Sequence, residues 1–249
     1  MKKTYPVSAL MPNYNYAKFL PTALDSLLEQ SALPEEIIVL DDASTDNSYE
    51  IIQKYAQKNS IIKVVKNETN KGLFYNLEKL LELSKGEYIC FVSSDDAWHP
   101  DFFQKSMELL LKYPEAGLCS SLIDLMDEEN GNKGLYISPV VSKKAVYLKP
   151  EEVKKSLSLY GSWFQLAVIY RKDIFIKEGG QNPELGSFAD GFLNLVIALK
   201  YGACFIPEPL SYWRKLEGGY ATSTAANVEK YQLVVDYAES LMQSEYKEI

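Results

Sequence analysis

Histidine, cysteine and cationic side chains are all scarce in this chain of 249 residues. His99 is the only histidine, and a single one on a loop reads as an exposed or capping residue. The three cysteines, Cys90, Cys119 and Cys204, are too few and too scattered for a disulfide framework or a zinc cluster. Each reads as a small buried apolar residue in a reducing compartment. Lys and Arg number 26 against 34 Asp and Glu, a formal net charge of −8. That balance excludes general nucleic-acid binding, because neutralising a phosphate backbone needs a dense basic face. No apolar run approaches the ~20 residues that span a bilayer, and Met1–Tyr5 has no signal-peptide apolar region. The expectation is a soluble, cytoplasmic protein with at most peripheral contact at the inner face of a membrane, its oligomeric state left open. Repeats, linkers and low-complexity segments are also missing. What remains, 47% hydrophobic and 24% charged, is ordinary globular composition, long enough to bury a large core.

The first half alternates strand and helix signals. Tyr5–Met11 is a compact apolar strand ending at Pro12, and Leu20, Leu24, Leu27 and Leu28 repeat at helical spacing within a helix from Ala17 to about Gln30. Glu36–Leu40, Ile61–Val65 and Tyr88–Val92 are further strands. Helices follow with apolar faces at Ile51, Ile52 and Tyr55, at Leu73, Leu77, Leu80 and Leu81, and at Phe103, Met107, Leu110 and Leu111. Alternation at this density predicts parallel crossovers with helices on both faces of one sheet.

After Leu118–Ile123 the rhythm changes. Asp127–Gly134 reads as an exposed turn, Pro150–Leu159 as a short helix, Phe164–Tyr170 as a strand, Gly179-Gly180 as a turn and Phe192–Leu199 as a buried helix. Near Val228–Met242 an amphipathic helix carries Tyr231, Val234, Val235, Ala238 and Leu241 on one face. The organisation expected is residues 1–123 as one half, 124–225 as the second half of the same domain, and 226–249 as a terminal helix. Lys143–Lys155 holds five lysines against Glu151 and Glu152; such a run is usually a solvated face, its functional reading being contact with an anionic acceptor or a membrane surface.

Polar clusters fall where strands end, which is where open α/β sheets bind ligands. They are Pro12-Asn13-Tyr14-Asn15, Asp41-Asp42 and Ser93-Ser94-Asp95-Asp96. Paired carboxylates at the end of a buried strand repel each other and lose solvation, so they call for a cation or a strong donor. Mg²⁺ or Mn²⁺, held by one or two carboxylates and substrate phosphate oxygens, is the usual solution. The plain alternative is that Asp at such places caps a helix or closes a turn. Asp42 fits that reading better than Asp41 or Asp95.

In order and spacing, Met11-Pro12-Asn13-Tyr14-Asn15, Asp41-Asp42-Ala43-Ser44-Thr45-Asp46, Asn70-Lys71-Gly72 with Asn76, and Ser94-Asp95-Asp96 resemble the successive signatures of family 2 glycosyltransferases. The resemblance covers roughly the first 120 residues and continues more loosely through Gly179-Gly180, Asp190 and Tyr212-Trp213-Arg214. It implies a GT-A fold, a Rossmann-like α/β/α sandwich around a mixed, mostly parallel sheet. It also implies an inverting transfer of one sugar from a UDP- or dTDP-linked donor, bound through Mn²⁺ or Mg²⁺, to a glycan or lipid-linked hydroxyl acceptor.

By the same resemblance Pro12 and Tyr14 would line the nucleoside pocket, and Asp41 would accept the imide N–H of uracil or thymine. The Gly72 loop would pass the base and ribose, Asp95 would meet the ribose, Asp95 and Asp96 the metal-bound diphosphate, and Asp190 would be the catalytic base. Asp190 could instead simply cap the helix over Gly191–Lys200. The pattern departs from the family at Ser93, Ala189 and Leu216, positions where it often shows acidic residues and a histidine. Arg214 or Lys215 could take over phosphate neutralisation, and Trp163 or Trp213, like Trp98, could stack on a sugar or acceptor. A nucleotidyltransferase is the rival enzyme, although the loop Pro12–Lys18 has no glycine. A noncatalytic sugar-nucleotide binder is the other.

Overall fold

The computed structural model describes residues 2–164, 168–216 and 228–249. Strands are β1 (Lys3–Asn13), β2 (Ala32–Asp41), β3 (Ile62–Lys66), β4 (Tyr88–Phe91), β5 (Ala97–Trp98), β6 (Leu118–Met126), β7 (Asn132–Leu135), β8 (Val146–Leu148), β9 (Val168–Arg171) and β10 (Ala203–Arg214). Helices are α1 (Leu20–Leu28), α2 (Ser48–Lys58), α3 (Leu73–Leu83), α4 (Phe102–Lys112), α5 (Pro150–Tyr160), α6 (Lys172–Lys177), α7 (Ala189–Tyr201) and α8 (Val228–Gln243), with a 3₁₀ segment over Pro183–Phe188.

One mixed sheet runs in the order β3-β2-β1-β4-β9-β6-β10-β5, with β7 paired to β6 and β8 to β10. The β3-β2-β1-β4 portion is parallel, as the strand–helix alternation requires. β9 runs antiparallel to both β4 and β6, while β10 returns parallel to β6. The two sequence halves therefore share a single sheet.

The period of two along each strand divides the core. Val7, Ala9 and Met11 of β1, with Ile37 and Val39 of β2, face α1, α2 and α4. Leu10, Ile38 and Leu40 face the other way, into a layer with Leu80 of α3, Val153 of α5, Phe175 of α6 and Leu193 and Ile197 of α7. A register slip of one residue would exchange both sets, so the double burial specifies strand alignment. A third cluster joins Val234, Ala238 and Leu241 of α8 to Leu185, Ala189, Phe192 and Val196. Tyr231, expected on that apolar face, is 52% exposed.

Three sequence expectations shift. α1 begins at Leu20 rather than Ala17, because residues 16–19 close a turn in which Phe19 and Leu20 donate to the Tyr16 carbonyl. The strand expected from Phe164 is seen from Val168, since residues 165–167 lie outside the described residues, as does 217–227 of the expected second half. β10 was not anticipated at all. Pro207 and Pro209 interrupt its sequence, and the ladder to β6 shifts register around Ile206, Pro209 and Ser211.

Candidate active site

Beyond the ends of β1, β4 and β10 lies a cleft of about 280 Å³. Its lining brings together Pro12, Asp95, Asp96, Asp190, Trp213 and Arg214 from the sequence-predicted set. It also includes Tyr16, Tyr170, Gln181, Ser187 and Ser211, which sequence reasoning did not single out, and an apolar wall from Leu73, Phe74, Leu77 and Phe91.

The acidic pair sits on the loop between β4 and β5. That loop must turn at once because β5 pairs antiparallel with Ser211 and Tyr212 of β10. Asp96 is buried, and its Oδ1 accepts the Arg214 backbone N–H at 2.8 Å. Arg214 Nε donates to the Asp95 carbonyl at 2.7 Å. Burial pushes both carboxyls above the ordinary range, and the neighbouring Asp95 charge pushes Asp96 further, against a partial offset from Arg214. Burial, and then the same two carboxylates, raise Tyr16. Asp96 is buried and Asp95 half-buried, and two such carboxyls side by side are costly to keep charged unless a positive partner or a proton offsets them. Among the described residues, no three His, Cys, Asp or Glu side chains gather into a site that could hold a metal by itself. A divalent ion bound by one or two carboxylates and diphosphate oxygens does not need such a cage.

Asp190 reaches the cleft from the first turn of α7. The helix starts one residue earlier, with Phe188 at its cap position contributing no side-chain bond. Asp190 is therefore not the cap residue, though its Oδ1 accepts the Gly191 N–H at 2.7 Å. Burial raises its carboxyl, and backbone N–H groups of the first turn pull it partly back. The Tyr170 hydroxyl donates to Asn194 Oδ1 at 2.7 Å, tying β9 to α7 one turn beyond Asp190. Gly186 turns the preceding segment with φ 55° and ψ −130°, a conformation that glycine tolerates and that side chains resist.

A second group of carboxylates organises the neighbouring loops. Asp41 is fully buried; its oxygens accept Asn13 Nδ2 at 3.0 Å and the Ser44 N–H at 3.1 Å. Asn13 Oδ1, buried beside it, has no hydrogen-bond partner among the described residues. Asp42 accepts from Asn67 Nδ2, the Lys71 N–H and the Gly72 N–H at 2.7, 2.8 and 2.9 Å. It thus holds the Asn70–Gly72 loop, where Gly72 adopts φ 85° before α3 begins. An open hollow beside this region is lined by Ala43, Ser44, Lys66, Asn67 and Glu68.

Several predicted contacts fall elsewhere. Tyr14 is 43% exposed and is not part of this cleft's lining, which does include Tyr16. Asp41 and Gly72 border the neighbouring loops rather than the cleft. Trp163 is 0% exposed; its indole N–H donates to Ser156 Oγ at 3.0 Å and its ring packs on Phe164 and Phe205, so it is a core residue and not an acceptor platform. Arg214 lines the cleft but is only 1% exposed, and most of its guanidinium N–H groups are taken by protein acceptors, which leaves it little capacity for a phosphate. Lys215 is exposed and outside the lining. Trp213 lines the cleft, edge-on to Tyr136 at 5.6 Å.

A parallel-rich α/β sheet thus brings an acidic loop and a third, half-buried carboxyl to one strand-end cleft, the place where open α/β sheets bind ligands. The model of glycosyl transferase family 2 matches residues 8–175, and the chain belongs to that family. It is 36% identical over 106 residues, 43% of the chain and 42% of the relative, to TuaG of Bacillus subtilis, named as a glycosyltransferase of teichuronic acid biosynthesis. An uncharacterized glycosyltransferase of Mycoplasma pneumoniae is 29% identical over 248 residues, 95% of the chain and 77% of that protein. The match spans about half of several curated relatives. Among solved structures, S. aureus TarS 1-349 in complex with UDP-GlcNAc superposes with a TM-score of 0.76 at 22% identity, covering 98% of this chain and 67% of that one. The Pyrobaculum calidifontis mannosyltransferase PcManGT, in complex with GDP-Man and Mn²⁺, gives 0.64 at 17% identity, covering 98% and 78%. These similarities carry the GT-A fold. No helix among the described residues is long and apolar enough to cross a membrane.

Proposed function

We propose that this chain is an inverting glycosyltransferase that moves one sugar from a UDP- or dTDP-linked donor to a hydroxyl acceptor in bacterial surface-glycan synthesis. The observation that carries the reading is that Asp190 and the Asp95–Asp96 pair, almost one hundred positions apart, line the same cleft. Displacement at an anomeric carbon needs a base at the acceptor hydroxyl and neutralisation of the departing diphosphate. Asp190, with its carboxyl raised by burial, is poised to accept a proton from that hydroxyl. Asp95 and Asp96 would hold Mn²⁺ or Mg²⁺, and that ion would supply charge stabilisation to the diphosphate.

The base end of the donor would extend beyond the cleft lining, and the loops there would have to admit it to the buried Asp41. Its carboxylate retains lone pairs after serving Asn13 and Ser44, and the imide N–H of uracil or thymine can donate to one of them. Trp213 would offer a flat face to a glycan or lipid-linked acceptor, with peripheral contact to a membrane the furthest such an acceptor requires. The donors named for the two superposed structures, UDP-GlcNAc and GDP-Man, frame the choice of base.

The test is a panel of UDP, dTDP, GDP and ADP in thermal unfolding, with and without Mn²⁺. Stabilisation by UDP or dTDP that grows with Mn²⁺ and disappears in Asp95→Ala is the expected result. An equal response to GDP and ADP would overturn the base assignment, and an absent metal effect would overturn the cation site.

A further inference from the structure

We propose that Arg214 is a positioning residue, a buried latch that ties the acidic loop to the β6–β7 turn and so sets where Asp95 and Asp96 stand. The proposal rests on the metal-and-diphosphate reading of that pair. The carbonyl gripped by Arg214 Nε at 2.7 Å is the oxygen of the peptide joining Asp95 to Asp96. Because a peptide is planar and includes both flanking Cα atoms, holding that oxygen restrains the unit that links the two side chains. The Arg214 main-chain N–H then takes Asp96 Oδ1 at 2.8 Å, and a hydrogen bond with the Ser93 side chain also restrains the Asp96 carboxylate.

The other end of the guanidinium is spent on the turn between β6 and β7. It donates to the Asp127 carbonyl, to Asn130 Oδ1 at 2.6 Å and to Met126 Sδ at 3.6 Å, and stacks 4.6 Å from the Phe19 ring centroid. The turn is built to receive it. Asp127 Oδ1 accepts the N–H groups of Glu129 and Gly131 at 3.0 and 2.7 Å, Lys133 pairs with its second oxygen at 2.7 Å, and Asn130 takes φ 67°. Two contacts extend the latch to α1 and the turn before it, Thr22 with Asn130 at 3.3 Å and Lys18 with Glu128 at 2.8 Å. A residue that only carried charge would not need this fork. Lysine, with one compact ammonium, could not span the Asp95 carbonyl and the turn together.

The test titrates Mn²⁺ and UDP against folded wild type, Asn130→Gly and Arg214→Lys. Asn130 lies outside the cleft lining, and glycine accepts its positive φ, so the first variant removes the Oδ1 acceptor without straining the turn. Loss of an outer-shell partner is expected to raise the Mn²⁺ concentration needed for UDP binding, and the donor KM at limiting metal, by about tenfold. The loss should be larger in Arg214→Lys, with kcat recovered at saturating metal. A lower Tm with wild-type metal dependence in Asn130→Gly would overturn the latch and leave a merely structural arginine. Rescue by Arg214→Lys with no effect of Asn130→Gly would overturn it in favour of a direct diphosphate contact. If Arg214→Lys fails to fold, Asn130→Gly alone decides. A wild type that binds UDP without any response to Mn²⁺ overturns the metal reading, and the latch with it, which is distinct from a metal-dependent wild type matched by its variants.

Discussion

Replacing the Asp190 carboxylate by the isosteric amide removes a proton acceptor and little else. Asp190→Asn is expected to reduce sugar transfer by about 10²–10⁴-fold, the usual share of a general base. UDP and Mn²⁺ should still stabilise the variant, because the acidic pair stands on a different loop; transfer assays beside thermal unfolding check both. Unchanged transfer would remove Asp190 from the chemistry. Glu36 poses a separate question of stability. Burial alone would raise its carboxyl, but Lys63, Ser8 and the Lys85 N–H together hold it below the ordinary value. A depressed carboxylate stabilises the fold above its unfolded pKa, and that stabilisation is lost as pH falls through the lower, folded value. Glu36→Gln should cost about 1.5–3 kcal/mol at pH 7, as for hydrogen bonds to a charged group. Its penalty should shrink below pH 4 in urea melts; a constant penalty would contradict the ionised network.

At the scale of elements, the loop held by Asp42 and the helix beneath Asp190 make separate demands. Gly72→Ala places a Cβ at φ 85°, and although open space surrounds it, the backbone itself costs about 1–2 kcal/mol. Donor affinity should weaken with it, measured by UDP titration. Leu241 seats α8 against the cluster that includes Ala189 and Phe192, next to Asp190 in the chain. Leu241→Ala should cost about 2–3 kcal/mol, at the low end for core truncations because the cluster is small. Calorimetry checks the size, and loss of transfer without loss of UDP binding would locate the damage at α7.

Elements with a clean period were readable in advance. β1 and β2 are continuous apolar runs, and α3 and α4 repeat at helical spacing, so their places followed from residues alone. β10 was not readable because two prolines mask a strand whose pairing tolerates bulges around them. Trp163 could not be assigned because an aromatic at a helix end serves a core as well as a sugar. The acidic pair and Asp190 were legible as types at strand and helix ends; their meeting in one cleft is a property of the topology. Arg214 was legible as a cation, but its partners lie more than eighty residues away.

For the molecule as a whole, ligand binding to the native state alone should appear as a shift of global unfolding. At one hundred times its Kd, UDP with Mn²⁺ should add about 2.7 kcal/mol, or roughly 5–10 °C in Tm for a chain of this size. The position of β10 in the sheet has a further consequence for biosynthesis. Among the described residues β5 pairs with β10 alone, and Asp96 obtains its backbone donor from Arg214, so the strand that completes the acidic loop is synthesised more than one hundred residues after that loop. A nascent polypeptide halted before residue 203 would carry every signature of its first half and still lack the strand that holds its acidic loop. Competence should therefore arise late and abruptly, when the closing strand slides between β6 and β5.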